Sequence, residues 1–341
     1  MIGPDASSSE PSLNKLSPDQ VRQFYESGLL IIDDVFDPED LDPLIGEIDE
    51  QVRTAVRGYY ENGDLSSDYA GEGFHTQLAR IFEESSEVGK AIIAQIEGRG
   101  GGGQHGIEMF RMITHAKLVR YLEDLIGEEI VGSSVFRLRP KLPNNNRGIV
   151  PWHQDSGYFK PKCDREMIIT CWIPLVDATV ENGCMRIMPN AHREGIIEHH
   201  KGGNAGFLVI YEEDLPEERK RDIVTAEVPK GGVVFMTNLT PHCSTPNFSN
   251  GVRWSVDLRY QSGEVPNNVD YLPEEADHDL NVACYPPEAD FVVRSKSHPE
   301  KETTHEQFKQ RREAFDSSET IRTKAYPVRV WSQAEQDKIH L

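Results

Sequence analysis

No stretch of this sequence is both apolar and long enough to form the ~20-residue helix that spans a bilayer. Positive charge is also scarce: 36 Lys and Arg stand against 57 Asp and Glu, a formal charge of −21. Nucleic acids and anionic membranes both require a basic surface, so neither is expected as a partner. The five cysteines (Cys163, Cys171, Cys184, Cys243 and Cys284) are an odd number with no C-x-x-C among them. That spacing speaks against a disulfide framework or a structural zinc site and for reduced, mostly buried thiols in a cytoplasmic protein. The opening "MIGPDASSSEPSLNKLSPDQ" lacks a basic segment followed by an apolar one. No secretory signal is expected there, and residues 1–16 read as a disordered leader. The glycine-rich "GRGGGGQHG" at 98–106 lacks both the Lys-Ser/Thr pair and the preceding strand of a phosphate cradle, which makes it a flexible loop or lid. No internal repeat and no domain-scale linker is visible.

What is present is 37% hydrophobic and 27% charged residues, enough for a core inside a very polar surface. "LSPDQVRQFYESG" opens with Ser17 as a helix cap and Pro18 at the first helical position, places Val21, Phe24 and Tyr25 on one face, and stops at Gly28. "LLIIDDVF" then reads as a strand. "DPEDLDPLIGEIDEQVRTAV" reads as an amphipathic helix with acids at its start, and residues 75–97 and "EMFRMITHAKLVRYLEDLIG" as further helix. From about residue 128 short β-rich runs take over: "EIVGSSVFRLRP", "MIITCWIPL", "CMRIMP", "GFLVIY", "IVTAEVP", "GVVFMT" and "VRWSVDLRY". Many short strands with turn residues between them predict a sandwich, a barrel or a jelly roll. After residue 262 a polar, proline-containing extension holds a charged helix, "HEQFKQRREAF", and a further strand, "AYPVRVW". The expected fold class is mainly β with a helical N-terminal third (α+β). It forms a single domain over 17–341, with helical support over 17–127, a β core over 128–262 and an extension over 263–341.

In "IVPWHQDSGYF", His153 and Asp155 lie two apart, and on a strand such residues share a face and reach one point. An H-x-D pair alone means little in a chain with 12 histidines. A third group comes from "GGVVFMTNLTPHCSTPNFSNGVRWSVDLRY": a β run, His242, an Asn-Gly turn at 250–251 and another strand, which together read as a hairpin. The second strand alternates. Val252, Trp254, Val256, Leu258 and Tyr260 fall on one face; Arg253, Ser255, Asp257 and Arg259 fall on the other, a face suited to a wet cavity. Two imidazoles and a carboxylate with open positions are a typical environment for non-haem Fe(II). A 2-oxo acid can fill two of those positions and O₂ the third. A co-substrate with a distal carboxylate needs a planar cationic clamp, and Arg253 is placed to supply it.

From the N-terminal helix to about Tyr260 the sequence resembles the phytanoyl-CoA dioxygenase family of Fe(II)/2-oxoglutarate oxygenases. "WHQD" matches the family pattern in which His153 and Asp155 are iron ligands. "PHCSTPNFSNGVR" matches the segment that supplies His242 as the distal ligand and, eleven residues on, Arg253 as the clamp for the C5 carboxylate. "CWIPLVDATVENGCMRIMPNAH" is similar to the family's most recognisable run. The resemblance implies a double-stranded β-helix, a cupin-like jelly roll, buttressed by α-helices. It also implies a dioxygenase that hydroxylates an unactivated C–H of a small molecule, using Fe(II), 2-oxoglutarate and O₂ and releasing succinate and CO₂. It places Ser244 and Trp172 at the co-substrate, with Lys141 a further candidate there. Asp155 favours oxygenation over halogenation, which needs a small residue at that position. "FRLRPK" puts Arg137, Arg139 and Lys141 on one strand face, where they can meet an anionic substrate or 2-oxoglutarate, and Gln154 is a candidate substrate contact. Arg259 reads as a surface or salt-bridge residue, "EHH" at 198–200 as a loop, and Cys243 as a packing residue. Two other classes use the same residues. One is a metal-binding jelly roll without oxygenase activity. The other is a Zn²⁺- or Mn²⁺-dependent hydrolase or isomerase, for which Asp257 is the candidate base.

Overall fold

Helix α1 (Pro18–Ser27) starts and stops on the capping residues its sequence supplies. In the computed structural model Ser17 and Gln20 form a reciprocal capping box, and Gly28 closes the helix at φ 71°. The structure describes residues 16–97, 104–133, 136–159, 161–201, 207–263 and 291–317. Gly28 also sits where the chain is crowded: a Cβ there would lie 2.6 Å from His192 Nδ1 and 2.7 Å from Thr240 Oγ1. Gly28→Ala is therefore expected to cost roughly 2–4 kcal/mol, the sum of a left-handed backbone and an overpacked contact. Urea unfolding should show a lower midpoint with an unchanged slope; an unchanged midpoint would show that His192 and Thr240 move aside freely.

The next elements are β1 (Leu29–Ile32), α2 (Asp42–Glu61), α3 (Gln77–Glu84), α4 (Ser86–Glu97), α5 (Ile107–Ile113) and α6 (Ala116–Ile126). Residues 75–97 thus form two helices rather than one, because Ser85 adopts an extended conformation between them. The strands that follow are β2 (Glu129–Gly132), β3 (Arg137–Lys141), β4 (Ile168–Pro174), β5 (Met185–Ile187), β6 (His200–Lys201), β7 (Leu208–Val209), β8 (Val224–Ala226), β9 (Val233–Thr237), β10 (His242–Ser244), β11 (Arg253–Ser262) and β12 (Phe291–Ser295), with α7 (His305–Ser317) after them.

Among the described residues a seven-stranded sheet runs β1-β9-β4-β11-β2-β12, with β3 also paired to β11. A three-stranded sheet runs β10-β5-β8, and β6 and β7 form a ribbon. Every pairing is antiparallel. The fold is mixed α/β. The N-terminal third is not wholly helical, because β1 supplies the edge strand beside β9. The extension also contributes to the sheet: β12 pairs with β2, and Phe308 of α7 packs on Phe110, Phe136 and Phe291. The strand expected at "AYPVRVW", the glycines at 98–103 and the leader up to residue 15 lie outside the described residues.

Strand β11 is buried along nearly its whole length and on both faces. Its apolar face, Trp254, Val256, Leu258 and Tyr260, joins the helices in the main core with Phe24, Ile48, Ile92 and Leu122. Its polar face opens into a cavity. The two larger sheets meet through a second cluster in which Leu29, Trp172, Val234 and Met236 pack on Met185, Ile187, Ala226 and Val228.

The hairpin expected across Asn250-Gly251 does not form. β10 and β11 belong to different sheets, because both edges of β10 are taken: by β5 on one side, and on the other by the Val150–His153 segment through Ser244 N–H to Val150 O and a two-way bond between His153 and His242. Beyond the turn, Val252 N–H bonds His75 O at 2.6 Å instead.

Candidate metal centre

His153 and His242 face each other across an isolated antiparallel bridge, closed by N–H···O bonds of 3.0 and 2.9 Å. Directly opposed residues point to the same side, so backbone pairing alone brings the two imidazoles together, with ring centroids 4.2 Å apart. Each ring is fixed by its Nδ1, which meets Pro151 O at 2.9 Å in His153 and Thr240 O at 3.0 Å in His242. As a donor, each Nδ1–H leaves the Nε2 lone pair directed inward. Asp155 does not continue a strand, contrary to the pleat expected for H-x-D. It begins a 3₁₀ turn, Asp155–Tyr158, and the turn rather than the pleat delivers the carboxylate. Asp155 Oδ1 lies 3.8 Å from His153 Nε2, and one ligand atom from each of the three residues falls within 4.8 Å of the others. All three residues are buried.

The carboxylate is held on three sides. Arg259 Nε donates to Oδ2 at 3.0 Å and its Nη2 to Oδ1 at 2.9 Å, while Thr170 Oγ1 also donates to Oδ2. Oδ2 thus takes two of the three bonds, and Oδ1 keeps a free lone pair beside the imidazoles. Burial on its own would raise the Asp155 carboxyl, but Arg259 and the imidazoles outweigh it and hold the group far below the usual carboxylate range. Burial, reinforced by neighbouring His242, holds His153 well below its ordinary value and therefore neutral. Two imidazoles, each tied through Nδ1 to a backbone carbonyl, and one ionised carboxylate braced by Arg259 and Thr170 fit a divalent transition metal.

Gln154, expected as a substrate contact, is fully buried and holds loops instead. Its side chain donates to Gly195 O at 2.8 Å and Leu239 O at 2.7 Å and accepts from Ile197 N–H at 2.8 Å. Its backbone N–H bonds His199 Nε2 at 2.9 Å, so one histidine of "EHH" locks the segment that carries the candidate ligands. Asn238 completes the lock: its backbone O accepts from Ser156 N–H, and its Nδ2 donates to Ser156 Oγ at 2.8 Å.

A cavity of about 230 Å³ opens beside His153 and His242. Arg253, Ser244, Trp172 and Lys141, read from separate motifs, all line it. Arg253 is 3% exposed, and among the described residues no carboxylate pairs with it. Its Nη1 donates to Ser255 Oγ at 2.7 Å, its Cζ stands 5.1 Å from the Trp172 ring centre, and its Nε has no partner. Burial pulls this guanidinium down to about 10, against a smaller opposing pull from Asp257. Lys141 lies directly opposite Arg253 in the sheet and donates to Ser244 Oγ at 2.7 Å and to Thr245 O. Burial, with the Arg253 charge beside it, lowers its ammonium to about 6. Of the remaining "FRLRPK" cations, Arg139 lines the cavity and Arg137 does not. Asp257, the candidate hydrolytic base, is ion-paired to Arg139 at 2.7 Å. Burial raises the Cys243 thiol to about 12, which leaves it a packing residue.

Arg259, read as a salt-bridge residue, makes its bridge to a candidate ligand, and Thr170 was not anticipated. A signal for both was present: Arg259 is in phase with Arg253 on β11, Thr170 is in phase with Trp172 on β4, and the register sets Arg259 opposite Thr170.

The chain is similar to known proteins over most of its length. A family model described as phytanoyl-CoA dioxygenase (PhyH) matches residues 24–255. A phytanoyl-CoA dioxygenase domain-containing protein 1 homolog from Dictyostelium discoideum is 26% identical over 275 residues, covering 75% of this chain and 94% of that protein. The peroxisomal phytanoyl-CoA dioxygenase of Homo sapiens is 24% identical over 262 residues, covering 74% of this chain and 70% of the human protein. The solved structure of a non-heme monooxygenase, apo ThoJ, shares the fold at a TM-score of 0.51 and 16% identity, over 90% of this chain and 100% of that one.

Proposed function

The chain belongs to the phytanoyl-CoA dioxygenase family, and from that premise we propose that it is an Fe(II)/2-oxoglutarate-dependent dioxygenase that hydroxylates an unactivated C–H of a small molecule. The observation that carries this reading is Arg253: a buried guanidinium without a carboxylate partner, on the wall of the same cavity as the His153–Asp155–His242 cluster. A buried cation in that position calls for an anion from outside the chain. In this reading the two sheets are the halves of a double-stranded β-helix, and residues 17–341 form one domain.

His153, Asp155 and His242 would hold Fe(II), which would supply the oxidising power drawn from O₂ and 2-oxoglutarate, with succinate and CO₂ released. Arg253 would grip the distal carboxylate of the co-substrate, with Ser244 and Lys141 donating from the adjoining strands. The Trp172 ring packs on the Arg253 guanidinium and lines the same cavity. Arg259 and Thr170 keep Asp155 turned so that Oδ1 faces the two Nε2 atoms. Asp257, the candidate base of the hydrolase alternative, is ion-paired to Arg139. Among the described residues no helix is long and apolar enough to cross a membrane, and the free cysteines suit a cytoplasmic setting.

The direct test is an anaerobic titration of metal-free protein, first with Fe(II) and then with 2-oxoglutarate, read by the visible metal-to-ligand charge-transfer band. The band is expected in the wild type and absent in His153→Ala. Iron bound tightly with no band on adding 2-oxoglutarate would overturn the oxygenase reading.

A further inference from the structure

The metal cluster and the Arg253 pocket leave one wall of the cavity without a role, where β3 faces α4. Arg139 stands on that wall with its side chain 29% exposed, against 11% for its partner Asp257. The contact between them is single: Arg139 Nε donates to Asp257 Oδ2, while Asp257 Oδ1 has no partner. A guanidinium has five N–H donors, and among the described residues the edge formed by the two Nη groups donates to nothing. The Phe207 ring lies against this guanidinium, 5.9 Å from its Cζ. Of the other cations of the cavity, Arg259 is bound to Asp155 and Lys141 to Ser244 and Thr245, Arg253 serves the co-substrate in the reading above, and Lys90 of α4 lines the cavity as an exposed side chain.

We propose that the primary substrate is a small monocarboxylic acid whose carboxylate is gripped by the free edge of Arg139, an inference that rests on the oxygenase reading for what then happens to the acid. A planar guanidinium edge matches the two oxygens of a carboxylate. Phe207, with Ile93 and Phe82 from the helical side, offers an apolar surface for the body of the acid. Glu97, on the same wall of α4, bears electrostatically on Arg139 and lines the cavity, so a second carboxylate on the substrate would be repelled there. Arg139 is also close to the metal side. Tyr158, whose ring meets His153 edge-on at 5.9 Å, feels the charges of both Arg139 and Arg259. An acid anchored at Arg139 therefore extends along a wall that adjoins the ligands.

The test uses hexanoate and phenylacetate, each beside its neutral amide, titrated calorimetrically into anaerobic protein loaded with Fe(II) and saturated with 2-oxoglutarate. Saturating co-substrate occupies Arg253, so a carboxylate probe reports on Arg139. Each acid is expected to bind at least ~10-fold more tightly than its amide, as a charge-assisted pair requires. Arg139→Gln combined with Asp257→Asn keeps a neutral hydrogen-bonded pair in place; it should erase that preference while leaving the 2-oxoglutarate affinity unchanged. Acid and amide binding alike, a preference that survives the double substitution, or no saturable binding of either acid in the millimolar range would each overturn the proposal. The same titration on metal-free Arg253→Met separates the two readings. Acid preference there, with no charge-transfer band in the loaded wild type, would reject the oxygenase while keeping the anion site.

Discussion

Arg259→Leu is expected to lower the stability of the metal-free protein by about 3–5 kcal/mol, because it removes one partner of a buried, forked ion pair and leaves the Asp155 carboxylate uncompensated. Iron affinity should fall about 10–100-fold, since Arg259 fixes which way the carboxylate turns. Both effects share one cause, and a further sign follows from it. Binding stabilises by RT ln(1 + M/Kd), where M is the free metal concentration, so at a given M the weaker-binding variant should regain less stability than the wild type gains. Arg259→Lys keeps the charge but loses the fork, and should fall between the two. Thr170→Val removes one bond to Oδ2 and should cost only about 1–3 kcal/mol. Urea unfolding with and without metal, together with anaerobic metal titration, reads all three variants against the wild type. If Arg259→Leu matched the wild type in midpoint and in iron affinity, the guanidinium would not be what holds Asp155.

Arg253→Met should act in the opposite sense on the fold. Arg253 lies six residues before Arg259 on the same strand face and is also buried, yet it has Ser255 and the Trp172 ring for company and, among the described residues, no carboxylate. Burial already pulls its guanidinium down to about 10, so the unliganded protein bears the cost of an incompletely solvated charge. Removing it is expected to raise the unfolding midpoint of the unliganded protein. The affinity for 2-oxoglutarate should fall by at least ~30-fold, the lower end for loss of one partner from a buried charge pair. Stability gained as binding is lost is the pattern of a residue kept for a ligand rather than for the fold. The charge-transfer titration measures the affinity, and thermal unfolding measures the stability. A variant that lost stability and bound 2-oxoglutarate normally would place Arg253 among the structural residues instead.

These two arginines show where sequence reading reached and where it stopped. The alternation of β11 was legible because side-chain direction along a strand depends only on parity, and it put Arg253, Ser255, Asp257 and Arg259 on the cavity side as observed. Alternation says nothing about which acid each arginine meets. Asp155 lies 104 residues from Arg259. They meet because the register sets Arg259 opposite Thr170 and a 3₁₀ turn aims Asp155 at both. The misread hairpin has the same origin. Asn-Gly does mark a reversal, but whether the flanking strands pair depends on whether their edges are free, and β10 had already bonded on both sides. Gln154 fell to the same limit. A polar residue between two candidate ligands looks like a substrate contact until the loops around Gly195, Ile197 and Leu239 are seen to close on it.

Local elements follow from the residue order alone: the capped α1, the short strands, and the polar and apolar faces of β11. With the family resemblance, that order also singled out His153, Asp155, His242 and Arg253. Capping, helical periodicity and pleat are settled by neighbours a few residues away, so a linear string contains them. Only the tertiary structure decided that β10 leaves β11 for another sheet, that Arg259 and Thr170 hold Asp155, that Gln154 fastens loops, and that Arg139 keeps an open edge to the cavity. Those outcomes depend on which groups remain unpaired after every other pairing has formed, and that is a property of the whole packed chain.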